Sequence, residues 1–217
     1  MIYQETKKGK LVVVRHHESE WNKLGQWTGS RDEHLTPYGF EKSKEMGYLV
    51  KDLCFDYAFA SMQVRSIETL SSMLSVCIAD GKLPTEHISA LNERDYGDYT
   101  GKNKWDMEKL LGKDEFDRLR RGWEYPIPNG ETLKMVYDRA VPFFLDRILP
   151  LLNAGKTVLV VSHGNTIRSL IKYIESVSNE DMVKVEEPIG TIIIYDLDST
   201  GHLVNKEIRK VESEVNA

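Results

Sequence analysis

The stretch that decides the fold runs from residue 11 to residue 22 and reads Leu11-Val12-Val13-Val14, then Arg15-His16-His17-Glu18-Ser19-Glu20-Trp21-Asn22. Four consecutive aliphatic residues are typical of a short strand that is buried on both faces. The residues that follow change abruptly to an arginine, two histidines, and small and amide side chains. Open α/β sheets bind their ligands at the carboxyl ends of such strands. The stretch therefore predicts both the class of fold and the edge of the sheet at which a ligand binds.

Three further apolar runs predict strands, and the segments between them have the spacing of helices. The runs lie at residues 57–60, 158–161 and 192–195. The predicted helices cover residues 37–49, 63–78, 131–152 and 166–176, and Pro142 should kink or interrupt the third of them. Strands that alternate with helices are typical of the α/β class. We therefore expect a three-layer α/β/α fold with a central, mostly parallel sheet.

The length and composition predict one domain with a small insertion. The chain has 217 residues, of which 41% are hydrophobic and 29% charged, and we expect a single domain over residues 1–217. Residues 98–129 are polar, charged and aromatic, which indicates an inserted lid over a site rather than part of the sheet. Residues 206–217 are mostly polar, and we expect this tail to be mobile.

The charge balance excludes whole classes of partner. The chain has 29 lysines and arginines and 34 acidic side chains, which gives a net charge of −5. There is therefore no bulk electrostatic basis for binding nucleic acid or an anionic membrane. Cys54 and Cys77 show neither zinc-site nor disulfide spacing, which favours a reducing compartment. The first eight residues contain no long apolar segment, and no later run is long enough to span a bilayer. A cytoplasmic protein is expected.

Four side chains at predicted strand ends suggest one site. Arg15 and His16 follow the first strand, His163 follows another, and Arg65 comes shortly after a third. The carboxyl ends of parallel strands share one edge of the sheet, so these side chains should converge, although any one histidine alone is more often structural. A neutral imidazole is a good nucleophile toward phosphorus, and arginines neutralise the phosphoryl oxygens. The pattern favours an anionic, phosphorylated ligand.

A proton donor for such chemistry is less clear from the residues alone. The segment 91–97 contains Glu93, which could serve as the acid while Arg94 pairs with Asp95. A solvated charged loop explains the same composition equally well. Both interpretations stay open at this point.

Short stretches spread along nearly the whole chain match one known family. They are Arg15-His16, Glu18-Ser19, Trp21-Asn22, Thr28-Gly29, Ser61 to Ile67 with Thr69, Leu91 to Arg94, Tyr96-Gly97, Thr100-Gly101, Asn103-Lys104, Arg120-Arg121, His163-Gly164-Asn165 and Arg168. Together they resemble the histidine phosphatase superfamily, whose signature is an Arg-His-Gly turn, and within it the cofactor-dependent phosphoglycerate mutases. The resemblance implies the phosphoglycerate mutase-like fold.

The resemblance also implies a mechanism and a set of site residues. His16 would become the phosphohistidine, Glu93 would act as general acid and base, and His163 would stabilise the phosphoryl group beside Arg15 and Arg65. Such enzymes interconvert 3-phosphoglycerate and 2-phosphoglycerate, are primed by 2,3-bisphosphoglycerate and require no metal. The implied substrate-binding residues are Arg15, Ser19, Asn22, Thr28, Gly29, Arg65, Glu93, Tyr96, Lys104, Arg120, Arg121, Gly164 and Asn165.

The sequence departs from the family pattern at three positions. His17 replaces the glycine of the signature turn, Glu68 stands where a basic residue is usual, and Asp95 stands where a histidine is common. We expect the His17 side chain to point away from the site on an ordinary backbone. The alternative is that His17 alters the lifetime of the phosphohistidine or recruits a metal together with His16.

Two other functions compete with the mutase. One is hydrolysis of a phosphomonoester by the same fold, and the other is binding of a phosphorylated ligand with little catalysis. The expected partners are small phosphoglycerates and a second copy of the chain in a homodimer.

Overall fold

A six-stranded sheet forms the centre of the computed structural model, which describes residues 9–79 and 82–212. The strands are β1 (Lys10–Arg15), β2 (Tyr57–Ser61), β3 (Thr85–Ile88), β4 (Val158–Ser162), β5 (Thr191–Leu197) and β6 (Leu203–Lys210). Their order across the sheet is β3-β2-β4-β1-β5-β6. The first four in that order are parallel, β5 runs antiparallel to β1, and β6 runs antiparallel to β5. The predicted mostly parallel sheet is confirmed.

Eight α-helices connect or flank these strands in the described part of the chain. They are α1 (Glu20–Lys23), α2 (Pro37–Leu49), α3 (Val64–Cys77), α4 (Lys104–Leu111), α5 (Lys113–Arg121), α6 (Leu133–Phe143), α7 (Leu149–Asn153) and α8 (Gly164–Ile174). Thr36 caps α2, since its hydroxyl accepts the Gly39 N–H at 3.0 Å, and Pro37 occupies the first helical position. No helix in the described ranges is long and apolar enough to cross a membrane.

The alternation of side chains along the strands builds a core on each face of the sheet. On β1, Leu11 and Val13 point into a cluster with α6 and α8, whereas Val12 and Val14 point into a cluster with α2 and α3. All four side chains are at most 1% exposed. Because both faces are covered, the apolar run of β1 is unbroken, and the three-layer arrangement is confirmed.

The long helical segment that contains Pro142 is interrupted as the sequence predicts. The α-helix α6 ends at Phe143, a π-helical turn follows over Phe144–Ile148, and α7 then begins. Proline lacks the N–H of the helical ladder and its ring crowds the carbonyl four residues earlier. A widened turn beside it lets the chain continue in the same direction while Phe144 and Ile148 stay fully buried.

The two edge strands are not evident in the sequence, and one of them corrects an expectation. Residues 206–210 were expected to belong to a mobile tail, but they form part of β6 and pair with β5, with Ile208 opposite Ile193. Polar side chains dominate β6 because most of the strand is exposed, so the apolar signal is weak. The backbone ladder holds it, and Arg209 adds ion pairs to Asp52 and Glu207. Residues 213–217 lie outside the described ranges.

The segment expected to form a lid, residues 98–129, contains α4 and α5 and no strand. It packs on a third apolar cluster composed of Trp27, Tyr96, Met107, Phe116, Leu119 and Ile127. The Trp27 ring stacks on Tyr96 with centroids 5.5 Å apart. The segment is therefore fixed to the domain by a small core of its own.

Replacing one member of the Ile193–Ile208 pair tests the layout of the β5–β6 edge. Ile193 is 2% exposed and Ile208 is 49% exposed, although the two are neighbours across the ladder. Ile193→Ala should lower the free energy of unfolding by about 2–4 kcal/mol, because it leaves a cavity in the core. Ile208→Ala, the matched control, should lower it by less than about 1 kcal/mol. Urea unfolding of both variants is the measurement, and equal losses would contradict the layout.

Candidate active site

One cavity of about 290 Å³ lies at the carboxyl ends of β1 and β4 and collects most of the predicted site residues. Those that line it are Arg15, His16, Asn22, Thr28, Gly29, Arg65, Glu93, Tyr96, Lys104, Arg120, Arg121, Gly164 and Asn165. Of the predicted set, only Ser19 and His163 are not among the lining residues. The predicted convergence of strand ends is thus what the fold produces.

His16 is fixed at the floor of the cavity as a neutral imidazole. Its backbone N–H donates to the Ser162 carbonyl at 2.9 Å, which ties the end of β1 to the end of β4. Its Nδ1 lies 2.7 Å from the His17 carbonyl, and since a carbonyl can only accept, Nδ1 carries the proton. Burial, with Arg65 and Arg15 nearby, holds the pKa of His16 well below its usual range. The unprotonated nitrogen is therefore Nε2.

His163 lies beside His16, with ring centroids 4.8 Å apart, and is fully buried. Its Nε2 is 2.7 Å from the Ser61 hydroxyl, which also accepts the Gln63 N–H at 3.2 Å. His163 Nδ1 is buried and has no hydrogen-bond partner among the described residues, so it is available to a ligand. Burial and Arg65 hold the pKa of His163 well below its usual range, so it is a hydrogen-bonding group rather than a cation.

Arg15 and Arg65 carry positive charge at the floor of the cavity. No carboxylate of the described residues neutralises this charge directly. Arg65 donates to the Arg31 and Gly29 carbonyls at 2.8 and 3.1 Å, and Arg15 donates to the Glu187 carbonyl at 2.6 Å. Neither guanidinium takes part in an ion pair within the described residues, and both Nε atoms lack a partner. Burial lowers the pKa of Arg65 only to about 10, so it stays charged. A fully buried Arg65 and a partly buried Arg15, both held by neutral carbonyls, form a site for an anion.

Three more basic side chains enter from the lid segment. Lys104, at the first position of α4, is 6% exposed, and Arg120 and Arg121 end α5. Burial, with Arg120 and Arg15 close by, lowers the pKa of Lys104 to about 7. The cavity is therefore lined by basic side chains beside His16 and by those of the lid segment, and the part of the lining formed by Lys104, Arg120 and Arg121 is called the lid end.

Glu93 is held at the cavity wall rather than in a solvated loop. Its Oε1 accepts the Arg94 N–H at 2.7 Å and the Asn165 N–H at 3.3 Å, and its own N–H donates to Gln63 Oε1 at 2.8 Å. The expected pairing of Arg94 with Asp95 is wrong, since Arg94 is fully buried and donates to lid carbonyls. A carboxyl group fixed in this way can accept a proton from a ligand in the cavity when it is ionised and donate one when it is protonated.

Ser19 is the one predicted binding residue that the structure places behind the cavity wall. It precedes α1, and its hydroxyl is 2.9 Å from Asn22 Oδ1, which also accepts the Ser19 N–H at 3.3 Å. Ser19 is fully buried, whereas Asn22 lines the cavity. Its contact orients Asn22.

The three departures from the family pattern all lie outside the cavity lining. His17 packs against the Tyr38 ring, and its Nδ1 accepts the Glu18 N–H at 2.8 Å. Within the described ranges, the only non-glycine residues with positive φ are Asn129 and Ser176, so the backbone at His17 is ordinary. The expectation that this side chain points away is confirmed. Glu68 bonds His34 and the Leu35 N–H, and Asp95 accepts the Gly97 N–H.

The sequence did not reveal the loop of residues 185–189, which lines the cavity together with Gln26, Trp27 and Arg168. This loop precedes β5, and because β5 is antiparallel to β1, the start of β5 lies at the edge where β1 ends. The available signal was Glu186-Glu187-Pro188, a polar turn directly before an apolar run. Within the described residues, no group of three or more histidine, cysteine, aspartate or glutamate side chains is arranged to hold a metal ion.

Comparison with known proteins establishes the family. The sequence profile of the histidine phosphatase superfamily (branch 1) matches residues 11–207. The chain belongs to this superfamily. It is 40% identical over 200 residues to a 2,3-bisphosphoglycerate-dependent phosphoglycerate mutase of Parvibaculum lavamentivorans, covering 91% of this chain and 95% of the relative. It is 42% identical over 198 residues to an enzyme of the same name from Bradyrhizobium diazoefficiens, with 90% and 95% covered.

Two solved structures have folds similar to that of this histidine phosphatase superfamily member. Phosphoglycerate mutase from Bacillus anthracis superposes with a TM-score of 0.69 at 25% identity, covering 96% of this chain and 95% of that one. YhfR from Bacillus stearothermophilus gives a TM-score of 0.77 at 21% identity, with 90% and 95% covered. The second likeness concerns the fold alone.

Glu187 carries a buried carboxyl group that has no direct ion-pair partner among the described residues. It is 6% exposed, its Oε1 lacks a hydrogen-bond partner among the residues that the structure describes, and burial raises its pKa from 4.5 to about 8 in spite of Arg15, Lys206 and Lys210. At neutral pH the group is therefore mostly protonated in the folded state. In the unfolded chain it is ionised.

Substituting Glu187 tests this protonation state. Between pH 4.5 and 8 the folded protein holds a proton that the unfolded chain has released, so this residue lowers the free energy of unfolding by about 1.4 kcal/mol for each pH unit gained. Glu187→Gln removes that loss, so the variant should gain stability over the unmodified protein as the pH rises. Urea unfolding at pH 5, 6.5 and 8 measures the difference.

Glu180→Gln, on the exposed surface, is the control and should change the free energy of unfolding by less than about 0.5 kcal/mol at each pH. A Glu187→Gln difference that does not grow with pH would show that the buried carboxyl group is ionised throughout.

Proposed function

We propose that this protein interconverts 3-phosphoglycerate and 2-phosphoglycerate through a phosphohistidine at His16, primed by 2,3-bisphosphoglycerate. The observation that carries the proposal is a neutral imidazole in one cavity whose lining includes five basic side chains from different parts of the chain. Arg15 and Arg65 accompany His16, and Lys104, Arg120 and Arg121 come from the lid segment. A phosphoglycerate carries an anionic group at each end, so its charge distribution complements that of the cavity.

His16 supplies the nucleophile. Its Nε2 lone pair attacks phosphorus while the bond from phosphorus to the substrate oxygen breaks, and Glu93 gives a proton to that oxygen. The His17 carbonyl accepts from Nδ1–H at 2.7 Å and stabilises the positive charge that develops on the ring. Transfer of this phosphoryl group to the free hydroxyl of a phosphoglycerate reverses these steps, with Glu93 taking up the proton, and the other phosphoryl group of the product then returns to His16 by the first step.

The arginines and His163 act on the transferring group. Its oxygens carry negative charge throughout, and the guanidinium groups of Arg15 and Arg65 are already in place to bind them. The Nε–H groups of both arginines have no partner among the described residues and gain one when a phosphoryl group binds, and His163 Nδ1 would be a further donor in the tautomer that carries its proton there. These donors need little reorganisation during the reaction.

The residues of the cavity fit the priming bisphosphate. The bisphosphate supplies the phosphoryl group that loads His16. Lys104 and Arg120 would hold the group remote from His16, and burial of Lys104 makes an anionic partner especially favourable there. Curated relatives about 40% identical over some nine-tenths of this chain bear the name of a bisphosphate-dependent mutase, which supports the same assignment.

Hydrolysis shares the first half of this reaction, because water can replace the glycerate as acceptor of the phosphoryl group. Among the proteins of similar fold is the alpha-ribazole phosphatase from Shigella flexneri, with a TM-score of 0.73 at 24% identity. The lid-end cations favour the mutase, since a phosphatase needs no group to hold a second anion. A homodimer stays a prediction from the resemblance.

Dependence on bisphosphate tests the proposed reaction. Formation of 2-phosphoglycerate from 3-phosphoglycerate should rise in a saturable manner with catalytic amounts of 2,3-bisphosphoglycerate. The same treatment should place on His16 a phosphoryl group that is labile in acid and stable in base. His16→Ala should lose both the label and turnover while its circular dichroism is unchanged. Release of inorganic phosphate without isomerisation would refute the mutase.

The lid-end cations can be tested separately on α4. Lys104→Ala should lower kcat/KM for isomerisation by roughly 10- to 100-fold, because it removes a charge-assisted hydrogen bond worth about 1.5–3 kcal/mol. Hydrolysis of phenyl phosphate, which has no second anionic group, should fall far less. Lys109→Ala, on the same helix but exposed, is the matched control and should change neither rate. Equal losses in the two reactions would contradict a role at the lid end.

A further inference from the structure

An ion pair spans the mouth of the cavity between the lid and the loop before β5. Arg121 Nη2 lies 2.6 Å from Glu186 Oε1, and both residues line the cavity. The Arg121 side chain is 32% exposed and that of Glu186 is 58% exposed. Glu186 is not among the site residues that the sequence or the resemblance predicts. One of the cations expected to bind ligand is therefore already engaged by a carboxylate of this chain.

The backbone on both sides of this pair is held by one buried guanidinium. Arg168 is 6% exposed and donates to the Arg121 carbonyl at 3.0 Å and to the Val185 carbonyl at 2.9 Å. It also bonds Asn165 Oδ1 at 3.0 Å, which anchors the arrangement to α8. The two chain segments that carry the ion pair are thus fixed relative to each other. The side chains of Arg121 and Glu186 can therefore separate while the backbone that carries them stays in place.

This geometry places Glu186 in competition with any anion that Arg121 could bind. A guanidinium that faces the cavity and already has a carboxylate partner gains little from a second, freely diffusing anion. An anionic group on a ligand whose phosphoryl end is anchored near His16 is present at a much higher effective concentration. Such a group can replace the carboxylate, and Glu186 then returns to solvent because it is more than half exposed.

We propose that Glu186 sets the affinity of the lid end of the cavity: its carboxylate occupies Arg121 in the free protein and is displaced by an anionic group at the far end of the ligand. The inference deepens the proposed function and rests on it for the choice of ligand. It assigns to Glu186 a role in determining specificity, because only ligands that bind Arg121 must break its ion pair with Glu186.

A pair of ligands that differ only at the far end tests the proposal. These are D-3-phosphoglycerate, which ends in a carboxylate, and sn-glycerol 1-phosphate, which has the same configuration at its central carbon and a hydroxymethyl group instead of the carboxylate. Binding is measured by titration calorimetry in a His16→Ala background, so that neither isomerisation nor hydrolysis takes place. A failure of the proposed reaction would therefore leave this measurement unaffected.

Glu186→Gln should tighten binding of 3-phosphoglycerate about two- to fivefold, the range expected for the loss of a competing, partly exposed ion pair. Binding of sn-glycerol 1-phosphate should stay the same. Asp138→Asn is the matched control, since it removes the same charge from the exposed Lys134–Asp138 pair on α6. This variant should leave both affinities unchanged.

A double-variant cycle separates displacement of the pair from a general change in charge. In an Arg121→Gln background, Glu186→Gln should no longer tighten binding of 3-phosphoglycerate, because the competition it relieves is already gone. The same tightening in both backgrounds would mean that Glu186 acts only through the overall field, and the proposal would be wrong. Equal tightening for both ligands, or none for 3-phosphoglycerate, would also overturn it.

Discussion

The hydrogen bond from His16 Nδ1 to the His17 carbonyl is the interaction on which the chemistry of this site depends. It fixes the tautomer, since a carbonyl accepts but cannot donate, and it fixes the ring relative to the end of β1. Two neighbouring arginines and burial keep the ring neutral. The same arginines that bind an anion therefore also preserve the nucleophile that the anion would meet.

This arrangement explains how the turn accommodates a histidine in place of the family glycine. What the turn contributes at position 17 is its backbone carbonyl, which any residue supplies. The His17 ring lies against Tyr38, where its Nδ1 accepts the next N–H of the chain. Burial and Lys42 lower its pKa to about 4, so the ring adds no charge to a site already rich in cations. The His17 side chain therefore stabilises the turn on the side that faces away from the cavity.

Most of the fold and the floor of the site could be predicted from the sequence because both depend on local signals. Unbroken apolar runs mark β1 and β4, and the abrupt change to Arg15-His16 and His163-Gly164 marks the edge where they end. The loop with Glu186 escaped prediction for a geometric reason. It precedes a strand, and only the reversed direction of β5 brings it to the site, which no local pattern reveals. The edge strand β6 was missed because it is largely exposed and therefore polar.

Because Lys104 is buried, binding of an anion in the cavity is coupled to the uptake of a proton. With its pKa near 7, this amine is only partly protonated at neutral pH in the absence of an anion. An anion bound beside it stabilises the ammonium form, so binding draws a proton from the solvent. Affinity for the ligand is consequently linked to pH, and the heat of binding includes the ionisation of whichever buffer gives up that proton.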